Sequence, residues 1–250
     1  MASCAGPASA LPAFFIADLH LAAGSPETAA AFDAFLHGPA RAAGHLYILG
    51  DLFESWAGDD DAADPFNQQI CAWLRELSAV TTIFFVPGNR DVLVGTEFAR
   101  RAGLTLLPDQ ALLSLGGLRI LVTHGDEFCT DDLAYQDFRQ QVHSPDWQAM
   151  FLAQPLATRK QLIARLRAQS EAAKREKPLE IMDVNADAIA RCLRAHAYPI
   201  LIHGHTHRPA RHSHLVDGHV CARHVLADWR DHPTWLAFDG AAFTEYACLE

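Results

Sequence analysis

An α/β fold is predicted for this chain by two observations. In the first half, short apolar runs rich in β-branched and aromatic residues alternate with amphipathic stretches, as stacked β-α units require. Polar residues suited to chemistry stand just beyond the ends of those runs, where open α/β sheets bind their ligands.

The strands expected from the apolar runs are Ala13 to Ala17, Leu46 to Leu49, Ile83 to Val86 and Leu118 to Val122. Between them, Glu27 to Leu36 and Pro65 to Leu77 have helical spacing, with Ser25-Pro26 and Asp64-Pro65 as helix starts. From about Asp131 to Val184 the strand signals stop and helical segments take over, so a helical insertion is expected there. Seven of the twenty Lys and Arg residues fall between Arg159 and Lys177, including every lysine of the chain. Ala186 to Ala197 then returns as a helix and Pro199 to Ile202 as a buried strand. His219 to Ala227 and Thr234 to Phe238 are closing strands. A single domain over residues 13–250 is expected, with the insertion at 131–184 and an extension at 1–12.

Composition narrows the classes of function. A formal charge of −10 argues against a general nucleic-acid binder, because affinity for a phosphate backbone rests on clustered positive charge. The six cysteines contain no C-x-x-C pair, which excludes a zinc ribbon or a thioredoxin motif and leaves buried reduced thiols. No apolar run reaches the roughly 18 residues that span a bilayer. Residues 1–12 lack the basic and apolar regions of a signal peptide. A cytoplasmic location is the expectation, and a monomer is the working expectation for the assembly.

The strand ends carry Asp18, His20, Asp51, Asn89, His124, His205 and His207. Carboxylate, amide and imidazole donors without thiolate suit divalent ions such as Mn²⁺, Mg²⁺ or Fe²⁺. On an extended segment, Asp18 and His20 fall on one face and can share an ion; His205 and His207 do the same. Two ions roughly 3.5 to 4 Å apart need a bridging carboxylate. Asp51 is the candidate, since Gly50 before it lets the backbone come close. Asp91 and Asp126 are expected either to orient ligating histidines or to serve core and capping roles. His203 is expected to stand outside the ligand set, and His212, His214, His219 and His224 are expected to be surface residues.

The ordered set D-x-H, G-D, G-N-x-D, H-G-D and G-H-x-H resembles the calcineurin-like metallophosphoesterases. That resemblance implies a four-layer αββα sandwich. It also implies one ion held by Asp18, His20, Asp51 and His207, and a second by Asp51, Asn89, His124 and His205. Where many members have G-N-H-[DE], this chain has Gly88-Asn89-Arg90-Asp91. An arginine stays protonated and does not readily donate to a leaving group. It favours a phosphoanhydride, with Arg90 neutralising phosphate oxygens.

The segments FIADLHL, LYILGDLFESWAGDDD, GNRD, HGDEFCTDDLAYQDFR, IMDVN and LIHGHTHRPA further resemble the UDP-2,3-diacylglucosamine diphosphatase family of bacterial lipid A biosynthesis, from Phe14 to about Trp229. This implies metal-bridged hydroxide attack on the α-phosphorus of an acylated UDP-sugar, giving UMP and 2,3-diacylglucosamine 1-phosphate. Two Mn²⁺ per chain and peripheral binding at the cytoplasmic face of the inner membrane are implied as well. The catalytic set would be Asn89, Arg90, His124 and His205, and the substrate contacts Asn89, Arg90, Asp132, Ser170, Lys174, Lys177 and His205. Relatives tend to have a small polar residue at the position of Lys174. Tyr135 and Phe138 are placed to bracket the sugar or an acyl chain. In the insertion, apolar residues such as Trp147, Met150, Phe151, Leu152, Leu162 and Leu166 are expected to form an acyl groove. Arg159, Lys160, Arg165, Arg167, Lys174, Arg175 and Lys177 are expected to meet phosphates or an anionic membrane. The rival readings are a hydrolase of the same scaffold acting on a nucleotide, phosphoprotein or nucleic acid, and a metal-bound interaction module without catalysis.

Overall fold

The computed structural model describes residues 11–176, 181, 183–230 and 233–247. The first sheet is built from parallel strands β1 (Ala13–Ile16), β2 (His45–Leu49), β3 (Thr82–Val86) and β4 (Leu104–Leu106). Helices α1 (Pro26–His37), α2 (Pro65–Leu77) and α3 (Thr96–Ala102) make the crossovers. The second sheet follows, with β5 (Gln110–Leu115), β6 (Leu118–Thr123), β7 (Ile200–His203), β8 (Ala210–Val216) and β9 (His219–Val225). Then β10 (Thr234–Phe238) returns antiparallel to β1 and β11 (Phe243–Ala247) pairs with it. The two strand orders are β11-β10-β1-β2-β3-β4 and β5-β6-β7-β9-β8.

Strand alternation makes the layers. In β1, Phe15 faces the second sheet while Phe14 and Ile16 face the helices. In β2, Tyr47 and Leu49 face inward while Leu46 and Ile48 face out. Ile120 and Val122 of β6 and Ile202 of β7 supply the other half of the inter-sheet core. Their neighbours Leu121 and Leu201 bury against Ala188, Ile189, Cys192 and Leu193 of α7 (Ala186–Ala195). The order helices, sheet, sheet, helix is the four-layer arrangement expected.

Between β6 and α7 run α4 (Leu133–Val142), α5 (Pro145–Leu152) and α6 (Leu156–Glu176). Side-chain oxygens of Asp132, Ser144 and Asn185 accept from the first free amides of α4, α5 and α7, which starts each helix where its sequence signal stands. The expected acyl stripe is divided. Phe151 is buried in the outer core of the first sheet, with Trp147, Leu162 and Ile163 packed against it. Met150, Leu152 and Leu166 stay exposed.

Three of the basic residues of α6 that are expected to meet phosphates or a membrane are ion-paired within the fold. Arg159 is 3% exposed, its guanidinium on Asp60 and on the carbonyls of Ala57 and Gln154. Lys160 pairs with Asp61, and Arg167 with Glu54. These three tie α6 to the acidic loop after β2, because that loop carries the counter-charges. Arg165 is exposed; the side chains of Lys174 and Arg175 and all of Lys177 lie outside the described residues. His224 departs from expectation. It is buried between the sheets, its ring 4.8 Å from that of Phe243. Cys71, Cys129, Cys192 and Cys221 are buried cysteines outside any disulfide, and no helix among the described residues is long and apolar enough to cross a membrane.

Candidate metal centre

All seven donors predicted at strand ends lie on loops at the carboxyl ends of β1, β2, β3, β6 and β7. The pairing of Asp18 with His20 is not that of an extended strand. Their φ angles are +56° and +51°, and Asp51, His205 and His207 have +52°, +66° and +53°. Left-handed backbone at five non-glycine residues is costly, and such strain clusters at functional sites. The chain turns sharply as it leaves each strand, and the turns, rather than strand alternation, aim the donors at one another.

Two groups result. In the first, Nε2 of His20 is 3.3 Å from Nε2 of His207, which is 3.5 Å from Oδ1 of Asp18. In the second, Oδ1 of Asn89 lies 3.0 Å from Nε2 of His124 and 3.1 Å from Nδ1 of His205. Asp51 stands between them, Oδ2 3.9 Å from Nε2 of His20 and Oδ1 3.6 Å from Nε2 of His124. Asp18, His20 and His207 can converge on one ion, as can Asp18, Asp51 and His124. Oδ1 of Asp18 is buried without a hydrogen-bond partner, the mark of a donor awaiting a cation. The donor set and this orphaned oxygen fit a pair of divalent ions.

Close backbone approach depends on two glycines. A Cβ at position 88 would fall on Oδ1 and the amide nitrogen of Asp51, and one at position 204 on Oδ2 of Asp18. Asp91 accepts from the amides of Asp51 (3.2 Å), Phe53 (3.2 Å) and Gly88 (2.8 Å), so it joins two of the loops instead of orienting a histidine. Asp126 likewise accepts from the Tyr135 hydroxyl (2.7 Å) and the Arg139 guanidinium (2.9 Å). Tyr135 stacks its ring 5.8 Å from that of His205.

Electrostatics follow from the crowding. Burial raises the Asp18 carboxyl, but its contact with His207 and the charges of His124, His207 and His20 bring it down to about 2. Burial disfavours a charged His124, yet Asp51, Asp18 and Asp126 together lift it to about 9. Burial, helped by His124, pushes His205 down to about 4. Asp91 rises to about 7 through burial and the adjacent Asp51.

Of the remaining predicted residues, Arg90 donates its backbone amide to Oδ1 of Asp51 over 2.8 Å. Asp132 is buried at the start of α4, its carboxylate accepting from the amide of Tyr135. Ser170 is exposed on α6. Sequence reasoning missed Glu54 and Asp228, which stand behind His20 and His207. Glu54 had one visible signal, an acid set between the large apolar residues Leu52-Phe53 and Trp56.

The calcineurin-like phosphoesterase family model matches residues 11–209, and the chain belongs to that family, whose members use a dinuclear metal centre. A protein of Aromatoleum aromaticum named UDP-2,3-diacylglucosamine hydrolase is 56% identical over 232 residues, covering 92% of this chain and 94% of the relative. A protein of the same name from Escherichia coli O81 is 50% identical over 216 residues, covering 86% and 90%. In fold, the chain is similar to a dimetal phosphatase from Danio rerio, with a TM-score of 0.52 and 14% identity over 96% of this chain and 99% of that one.

Proposed function

We propose that this chain hydrolyses the pyrophosphate bond of UDP-2,3-diacylglucosamine, releasing UMP and 2,3-diacylglucosamine 1-phosphate, a step of lipid A biosynthesis. The observation that carries the reading is Arg90, anchored through its amide to the Asp51 carboxylate between the two donor groups. The relatives at 50–56% identity support the substrate.

Asp18, His20, Asp51 and His207 would hold one ion and Asp51, Asn89, His124 and His205 the other, with Mn²⁺ proposed and Mg²⁺ or Fe²⁺ suited to the same donors. When bound, the ions supply Lewis acidity and lower the pKa of water. The chain's own residues do the rest. Asn89, Arg90, His124 and His205 form the proposed catalytic set. Arg90 places a permanent positive charge where phosphate charge develops, and no proton is required of it because a phosphate leaving group departs as an anion. Neutral His205 and the Asn89 amide bear on the same oxygens.

Asp132, Ser170, Lys174 and Lys177 are proposed substrate contacts, with α4 to α6 forming a cap over the site. The exposed Leu133, Met150, Leu152 and Leu166 offer apolar surface for acyl chains or for the edge of a membrane. The test is an assay of UMP release from the diacylated UDP-sugar beside its deacylated form. Release from the diacylated substrate alone is expected. Equal turnover of both would overturn the lipid half of the reading, and turnover of neither would overturn the whole.

A further inference from the structure

The two donor groups differ in what stands behind their imidazoles. On the Asp18 side Nδ1 of His20 faces a carboxylate alone, whereas Nδ1 of His207 faces both a carboxylate and Nη2 of Arg230, the latter at 3.3 Å. Oε2 of Glu54 is 3.0 Å from Nδ1 of His20, and Oδ2 of Asp228 is 3.5 Å from Nδ1 of His207. Each carboxylate is held by an arginine, Arg167 on Oε1 of Glu54 and Arg230 on Oδ2 of Asp228. On the other side, Nδ1 of His124 donates to the Leu49 carbonyl at 2.9 Å, and His205 has the Tyr135 ring against it.

Glu54 also joins two distant parts of the chain. Its one oxygen faces a ligand of the proposed metal centre and its other the guanidinium of Arg167, 113 positions later on α6. Nδ1 of His20 is buried and makes no hydrogen bond in this geometry, and Oε2 of Glu54, at 3.0 Å, is a carboxylate close enough to pair with it.

We infer that Glu54 is a positioning residue that keeps Nε2 of His20 turned inward and, through Arg167, couples retention of the ion on the Asp18 side to the seating of α6. The inference rests on the metal reading proposed above. A carboxylate behind a ligating imidazole fixes the ring and raises its basicity, and losing it costs roughly ten- to hundredfold in metal affinity. Coupling is reciprocal: if seating of α6 strengthens binding of the ion, the ion strengthens that seating by the same factor.

The experiment is a Mn²⁺ titration of the metal-free full chain, by calorimetry and by the electron paramagnetic resonance of free Mn²⁺. It compares the wild type with Glu54→Gln, Arg167→Met and Lys160→Met. Lys160 seats the same helix on Asp61 but does not touch Glu54 or the ligands, so it controls for mere loosening of α6. In Glu54→Gln one of the two sites is expected to weaken roughly ten- to hundredfold while the other is unchanged. Arg167→Met should weaken the same site by less, and Lys160→Met neither. Amide hydrogen exchange along 156–170 should quicken on metal removal in the wild type and lose that dependence in Glu54→Gln. Unchanged affinities in Glu54→Gln, or an equal loss in Lys160→Met, would overturn the coupling. A wild type that takes up no Mn²⁺ would instead overturn the metal reading beneath it.

Discussion

The backbone amide of His205 donates to Oδ2 of Asp18 over 2.8 Å, closing the donor set across 187 positions of sequence. The contact is possible because Gly204 leaves the space that a side chain would take from Asp18. Gly204→Ala is therefore expected to push the Asp18 loop away. A misplacement of about 1 Å at such a site can cost about a hundredfold in rate. Metal content by elemental analysis and UMP release should fall together; an alanine variant with both intact would show that the loops do not need this approach.

Asp51 faces both donor groups, as Asp18 does. In Asp51→Asn the carboxylate charge is lost while size is kept, and less than two ions per chain should remain. Turnover should fall by about three orders of magnitude, comparable to removing a preorganised charge from a transition state. Chelation of the wild type should have the same effect and be reversed by added Mn²⁺. Turnover that survives chelation would remove the metal from the reaction.

Arg90→His restores the histidine that many family members have. The imidazole can donate a proton but carries less charge at neutral pH. UMP release is expected to fall by about a hundredfold, while hydrolysis of a phosphodiester with a poor leaving group rises from its own baseline. If both activities fall together, the arginine has no part in selecting the anhydride.

Arg159 tests whether the basic run of α6 is a clamp. Arg159→Met leaves the Ala57 carbonyl without its donor and Asp60 without its partner, at a cost of about 2 kcal/mol. For a chain of this length that is a drop in Tm of roughly 4–8 °C. Vesicle binding should be unchanged. A variant that melts like the wild type but releases vesicles would return Arg159 to the surface role first expected of it.

His203 should make the fold sensitive to acid. Its Nδ1 donates to the Gly204 carbonyl at 2.9 Å, and its Nε2 is 3.1 Å from Nη1 of Arg223. Burial, with the Arg223 charge, pushes its pKa from 6.5 down to about 3. The folded protein keeps it neutral where the unfolded chain is protonated. The stability it contributes is therefore complete above pH 6.5 and is lost as pH falls toward 3, at up to about 1.4 kcal/mol per pH unit. Denaturant midpoints between pH 7 and 4 should fall less steeply in His203→Gln. Parallel slopes would assign the acid sensitivity elsewhere.

Interior strands were legible because burial on both faces demands continuous apolar runs, as in AFFI of β1 and HLYIL of β2. The strands missed lie at sheet edges or are very short. Only Val216 of β8 is fully buried, none of β11 is, and β4 has three residues. Helix α3 was missed for a different reason: Asp59 of a distant loop, rather than a local cap, accepts its first amides.

The sequence alone determined the chemistry of the site, since donor types, their order and their place after buried strands are local properties of the chain. Asp18, His20, Asp51, Asn89, His124, His205 and His207 could be named from it, and so could the unusual Arg90. Tertiary structure decided how they meet: left-handed turns in place of extended pairs, Asp51 between the groups, and Glu54 and Asp228 behind the imidazoles. It also gave Arg159, Lys160 and Arg167 their partners Asp60, Asp61 and Glu54. Those relations join residues about a hundred positions apart, and the energy of a charge depends on its neighbours in space, which one-dimensional spacing does not carry.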